Sequence, residues 1–251
     1  MSNYHGLQFS LKKRFAQSFM FNLHYTFAKA LELGGIDNMT ASGVSNVQDH
    51  RNIRASRGRQ IVDIRHNLSL DHSWDIPFER WFGASSRVMR GVAGGWQLFG
   101  ILSARSGTPF LIQSGRDDYG LGASAAQRPD LVAGVPVYLD GYRESNTHTY
   151  INRQAFADPC DVRSLRRPCG IFGNLGGFQF DNPGSVYYDM SVFKNIKMGE
   201  RRAVQFRTEL FNIFNHTNFS APGSTLTNAT FGQITGSGRS RELQFALKLL
   251  F

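Results

Sequence analysis

Three observations on the sequence predict an all-β, antiparallel fold whose strands cross a membrane. The last thirteen residues, Arg239–Phe251, place Leu243, Phe245, Leu247, Leu249 and Phe251 on one face, with Glu242, Gln244, Ala246 and Lys248 between them. Period-two alternation of this kind gives a strand one apolar and one polar face. Six upstream stretches repeat the pattern at about the 9–11 residues that a tilted strand needs to cross a bilayer. The connections between them alternate short and long, as in outer-membrane barrels.

In chain order, the first strand spans about Tyr4–Lys13, with Leu7, Phe9 and Leu11 on its apolar face. A turn at Arg14–Ala16 leads to the second, where Phe19, Phe21, Leu23, Tyr25 and Phe27 alternate with polar residues. Both apolar sets are odd-numbered, so facing partners sum to an even number and the turn holds an odd number of residues. The third strand, Val62–Ile76, sets Asp63, Arg65, Asn67, Ser69, Asp71, Ser73 and Asp75 against His66, Leu68, Leu70, His72, Trp74 and Ile76. Pro77 ends it. A fourth runs from Trp96 to Arg105, its facing blurred by Phe99 and Ile101.

Tyr188, Met190, Val192, Ile196 and Met198 form the fifth apolar face, and Val204, Phe206, Leu210 and Phe214 the sixth. A tight turn at Met198–Glu200 would set Ser191 opposite Arg207 and Asp189 opposite Glu209, with Asp189 diagonal to Arg207 as an ion pair. Long polar loops fall at about 31–60, 107–186 and 216–238, and the second reads as structureless. Phe15, Phe27, Trp74, Trp81, Trp96, Tyr187 and Phe251 sit near strand ends, where an interfacial girdle is expected. Lys194 and His72 fall on apolar faces. A lysine at mid-depth would cost ~2–4 kcal/mol, so Lys194 should lie near a rim or snorkel to it.

The chain has 251 residues, 21 of them Phe, and its 28 Lys and Arg exceed 19 Asp and Glu, for a formal charge of +9. The basic residues are scattered, so no nucleic-acid surface is expected. No apolar run is long enough for a transmembrane helix, and the first residues do not read as a signal peptide. Cys160 and Cys169 suit a disulfide closing a short loop in an oxidising compartment, with free thiols the alternative. GLGASA, at 120–125, lacks the strand–turn–helix setting of a dinucleotide site. The seven histidines show no paired ligand spacing, and no catalytic constellation stands out. Neither an enzyme nor a metal or cofactor site is expected.

Several of these stretches carry a resemblance. SVFKNIKMGERRAVQFRTELFNIFNHTNF and FGQITGSGRSRELQFALKLLF closely resemble the C-terminal end of TonB-dependent receptors of the Oar-like type. GWQLFGILSARSGTPF, FGNLGG, FNLHYTFAKAL and DIRHNLSLDHSWDIPF resemble upstream parts of the same barrel, and Phe206–Phe219 is the most specific portion. The resemblance implies a bacterial outer-membrane barrel of about 22 strands, filled by an N-terminal plug and coupled through a TonB box to the TonB complex. Residues 1–251 are then expected to be the C-terminal seven strands, without plug, TonB box or earlier strands, and inactive alone. Ligand binding and uptake would belong to the full-length parent.

On this reading Asn67, Asp71, Gln205, Arg207, Glu209, Gln244 and Lys248 face the lumen and pack on the plug. Leu247, Leu249 and Phe251 resemble the terminal signal read by the barrel-assembly machinery, and the remaining partner is outer-membrane lipid. The rivals are a secreted soluble all-β binding module, of carbohydrate or adhesin type, and a secreted β-rich enzyme acting on polysaccharide. Both predict a signal peptide and a closed set of strands. A one-sided apolar sheet would also leave far more than a few hundred Å2 of apolar surface in water.

Overall fold

The computed structural model describes residues 2–14, 18–33, 47–49, 51–83, 85–116, 127–159, 172–199 and 202–251. Cys160, Cys169, Phe15 and the GLGASA stretch lie outside the described residues. In chain order come β1 (Ser2–Arg14), β2 (Phe19–Leu33), β3 (Arg57–Arg59), β4 (His66–Ile76), α1 (Phe78–Trp81), α2 (Arg87–Ala93) and β5 (Trp96–Arg105). The short strands β6 (Pro109–Phe110), β7 (Asp130–Leu131), β8 (Phe156–Ala157) and β9 (Phe180–Asp181) follow. The long β10 (Ser185–Lys197), β11 (Ala203–Phe211) and β12 (Glu242–Leu250) complete the set.

The seven long strands form one antiparallel sheet in the order β1-β2-β4-β5-β10-β11-β12, with β3 added to β2. Each pairs with its neighbour in the chain, the arrangement that tight turns and returning loops enforce. Register settles the faces. Leu11, Leu23, Leu70, Leu102 and Tyr188 pair in one row across five strands. Farther along, Trp96, Lys194, Phe206 and Leu247 make another. The alternating apolar sets of the seven long strands thus share one face, and Leu7, Phe9, Leu243, Phe245, Leu247 and Leu249 on it are each more than half exposed. Phe99 and Ile101, which blurred the fourth strand, fall on the opposite face with Gln97 and Ser103.

All short connections leave one rim of the sheet and all long ones the other. Leu250 is beside Ala203 at the short-turn rim, so Phe251, 95 % exposed, ends there. Phe27 lies toward the loop rim, and Trp74 and Trp96 toward the turn rim. Tyr187 departs from the expected girdle: it pairs with Ser103 on the polar face.

Several boundaries differ from the sequence reading. Arg14 belongs to β1 and pairs with Met20, so residues 15–19 lie between the paired ends rather than the expected Arg14–Ala16. β2 continues to Leu33, beyond what a bilayer needs, and carries β3 through Leu31–Arg59. β4 starts at His66 rather than Val62, because Asp63 turns its carboxylate to the Ala30 N–H (2.8 Å) instead of joining the ladder. The β10–β11 turn spans five residues, closed by Met198 N–H on Arg202 O (2.8 Å), so the register shifts by two. Ser191 therefore faces Glu209, and Phe193 faces Arg207. The expected Asp189–Arg207 pair does not form. Asp189 accepts from the Asn212 N–H (2.8 Å), while Arg207 reaches Glu209 (3.8 Å) and covers the Phe193 ring (4.5 Å). Finally, β11 stops at Phe211, where Asn212 adopts φ 48°.

The loops are the largest departure. The described residues 107–116, 127–159, 172–184 and 212–241 pack into a cap with its own core: Phe110, Ile112, Ile151, Phe156, Leu175, Phe180, Leu226 and Phe231. Two small sheets, β6–β9 and β7–β8, stitch it together. Its apolar residues follow no period in the sequence because they converge from four separated segments.

Candidate functional site

The polar face of the sheet and the cap above it form the candidate ligand-handling surface. The sequence-predicted residues Asn67, Asp71, Gln205, Arg207, Glu209, Gln244 and Lys248 all lie on that face, in cross-strand rows. Gln205 is next to Lys248, and Glu209 beside Gln244. Asn67 pairs with Arg105, which pairs with Ser185. Asn22 Nδ2 donates to Asp71 (2.7 Å), and Gln205 Nε2 to Asn195 (2.8 Å). Such side-chain pairs rigidify the face.

The asparagines of the Phe206–Phe219 motif prove to be corner posts. Buried Asn212 donates to the carbonyls of His216 and Arg239, each at 3.0 Å, and accepts from the His216 N–H (3.0 Å). Asn218 clasps the Val186 backbone, accepting from N–H (2.6 Å) and donating to C=O (2.9 Å). Asn215 accepts from the Arg241 N–H (3.1 Å). Between them they bind the 212–241 loop to the tops of β10 and β12. Their amides replace ladder bonds that the irregular backbone cannot make.

A second set of polar contacts ties the cap to β2. Arg59 Nε donates to Asp63 (2.6 Å), and its Nη1 to Asp181. Tyr150 Oη donates to the Asp181 carbonyl (3.0 Å), and Tyr138 Oη accepts the Asp181 N–H (2.9 Å). Burial lowers the affinity of the Arg59 guanidinium for its proton, but bonds to Asp63 and Asp181 outweigh it and hold the pKa above the ordinary value. Burial raises the phenols of Tyr138 and Tyr150, which stay protonated as donors or acceptors at neutral pH.

Arg128 behaves differently. It is 1 % exposed, donates Nη2 to Ser56 (3.0 Å) and Ala55 O (3.4 Å), and its Nε and Nη1 find no partner among the described residues. With no compensating carboxylate among the described residues, burial drops its pKa to about 10. An unpaired buried cation costs stability. Between pH 10 and the ordinary arginine value the unfolded chain binds the extra proton, so the cap gains stability as pH rises through that window. Arg128→Met is accordingly expected to slow amide exchange in the cap and to remove that alkaline gain; faster exchange would contradict it.

Two polar groups on the apolar face find specific partners. His72 Nε2 shares a hydrogen bond with Tyr188 Oη (2.8 Å) across Gly100, where a Cβ would collide with both. Lys194 reaches the turn-side rim as expected. Its Nζ donates to the carbonyls of Gly91 and Val92 (2.8 Å each) and Gly94, at the C-terminus of α2, and lies 5.2 Å from the Trp96 ring centroid.

Under the cap, at the loop end of the polar face, lies a cleft of about 480 Å3, within the ~300–1,000 Å3 of small-molecule sites. Arg105, Thr108, Asn182, Tyr187, Phe219 and Ser220 are among its walls. They supply a cation, two aromatic surfaces and several hydroxyl and amide groups, and the described lining residues include no carboxylate. Arg105 Nε donates to Ser185 (3.2 Å), which orients the guanidinium. Sequence reasoning missed these residues because they come from four separated segments.

One apolar face exposed across seven strands, one polar face, turns at one rim and a folded cap at the other define the wall of an outer-membrane β-barrel. The chain belongs to the outer membrane beta barrel domain family, whose model matches residues 1–244. Its location is the bacterial outer membrane. No curated protein matches the chain.

Proposed function

We propose that residues 1–251 are the C-terminal seven strands of a TonB-dependent receptor of the Oar-like type, serving ligand binding and uptake within a longer barrel. The resemblance of Phe206–Phe219 and its flanks supports the type, and the parity of the sheet supports the longer barrel. Among the described strands β1 and β12 are the unpaired edges, and both run from the loop rim to the turn rim. Closing one on the other would make a parallel pair, as would joining two copies edge to edge. An antiparallel barrel with an even strand number needs an odd number of further strands here. The roughly fifteen that complete a 22-stranded barrel satisfy this.

In that barrel Asn67, Asp71, Gln205, Arg207, Glu209, Gln244 and Lys248 face the lumen and the plug. The cap and its cleft stand outside the cell, and Leu247, Leu249 and Phe251 reach the periplasmic rim for the assembly machinery. Energy comes from TonB through the N-terminal part of the parent, and the seven strands alone do not transport. A soluble sandwich would need a second sheet over the apolar face. The other described sheets are two-stranded, and β6–β9 is built into the cap core.

The DNA upstream of Met1 tests the proposal. It is expected to encode, in frame or across a frameshift, a plug and an odd number of amphipathic strands. An intergenic region with its own promoter there would overturn it.

A further inference from the structure

The connection between β4 and β5 is not a plain turn. α1 and α2 lean against the apolar face at the turn rim, held by side chains that belong to that face. Trp81 packs on Trp74 (5.8 Å between centroids) and Phe78 on Trp96 (6.3 Å). Trp96 Nε1 donates to Val92 O (2.9 Å). Lys194 sits on the carbonyl end of α2, where a cation complements the partial negative charge of the unsatisfied C=O groups. Ser86 caps the other end, accepting from Met89 N–H (3.1 Å).

What the hairpin shows outward is apolar. Val88 is 76 % exposed, Val92 68 %, Phe82 67 % and Trp81 57 %. Val88, Met89 and Val92 form one stripe of α2, by their three- and four-residue spacing. Arg90 lies on the far side of that helix, and Arg80 is exposed on α1. Turns that merely reverse a chain in water have no use for this surface. It is continuous with the lipid-facing sheet, because the helices rest on Trp74, Trp96 and Lys194 of that same face. Apolar residues toward the acyl boundary with arginines at head-group level is the pattern of a helix lying in a membrane interface.

We propose that α1 and α2 form an interfacial anchor in the periplasmic leaflet, with Arg80 and Arg90 binding the phosphates of anionic phospholipid head groups. Arg80, Arg87 and Arg90 against Glu79 give the hairpin a formal charge of 3 − 1 = +2. Lys194 of β10 is taken up by carbonyls, so Arg80 and Arg90 remain for lipid. Their guanidinium forks match phosphate geometry. The anchor fixes how deep this side of the barrel sits. It depends on the outer-membrane barrel and not on TonB coupling, so a failed uptake assay leaves it standing.

The test uses the full chain reconstituted in vesicles, with Trp74 and Trp96 kept and Trp81→Phe as the reference, so that the difference in indole emission between the two reports Trp81. Brominated acyl chains are expected to quench Trp81. The same fraction of brominated phosphatidylglycerol should quench more than brominated phosphatidylcholine. Arg80→Gln with Arg90→Gln should keep the quenching but lose the anionic preference, by roughly fivefold in relative lipid affinity per arginine. Lys at both positions should restore most of it. Trp81 open to iodide and unquenched by lipid would overturn the anchor. Equal quenching by the two lipids, unchanged by the arginine substitutions, would overturn head-group binding. Loss of circular-dichroism β signal in a variant assigns its result to misfolding, and the parental lipid comparison then decides alone.

Discussion

Leu70→Arg is expected to destabilise the membrane-inserted sheet by ~2–4 kcal/mol, while Ser69→Arg, one residue away, should change it by well under ~1 kcal/mol. Leu70 is at the middle of β4 in a row with Leu23 and Leu102, and no rim is within reach of an arginine there. Ser69 points to the other face, between His24 and Ser103, where water and polar side chains are available. Denaturant unfolding of both variants in vesicles, followed by electrophoretic heat-modifiability, measures the difference. Equal costs would mean that the apolar face is not the lipid face. The contrast with Lys194 explains the size. Lys194 is tolerated on the same face only because it is close enough to the turn rim to donate to three carbonyls of the α2 terminus.

The strands were legible because alternation is a local signal that a one-sided environment writes into every second residue. Thus Leu7–Phe9–Leu11 and Leu243–Leu249 identify their faces without knowledge of any neighbour. Pairing was legible only in its parity. Odd–odd and even–even matching held for β1–β2 and β10–β11, but the two-residue shift at Ser191–Glu209 depended on a turn whose length the sequence does not encode in side-chain type. Phe99 and Ile101 were opaque for a different reason. A luminal face tolerates an aromatic that finds a partner, and Phe99 has Phe193 in an edge-on contact at 5.0 Å, with Arg207 over the second ring.

The cap was invisible as a folded unit, since its core residues stand in short runs or singly, as in Phe110–Ile112, Ile151, Leu175 and Phe231, with no shared period, and meet only in three dimensions. The helices of the 77–95 link are too short for a periodic signal: α1 has 4 residues and α2 has 7. The motif asparagines stood out in the sequence, but their role did not. Asn212, Asn215 and Asn218 hold backbone in place, so a specific motif marked the corner of the architecture rather than the point of contact with a ligand.

Asp63→Ala is expected to cost the cap about 3 kcal/mol, near the lower end of the ~3–5 kcal/mol for removing one member of a buried ion pair. The Asp63 side chain is 1 % exposed and serves two partners at once, the Ala30 N–H and Arg59 Nε. Its loss orphans a buried backbone donor and leaves the Arg59 side chain, 11 % exposed, to Asp181 alone. That remaining pair keeps the cost below the upper end, because Asp181 is 46 % exposed and water can reach it. Asp63→Asn should cost less, since its amide oxygen still accepts from Ala30. Hydrogen exchange provides the readout. In the alanine variant, protection should fall at Ala30 and across residues 57–63 and 180–182, while Leu70 and Leu102 in the sheet stay protected. Uniform loss throughout the sheet would show that cap and barrel wall unfold as one unit.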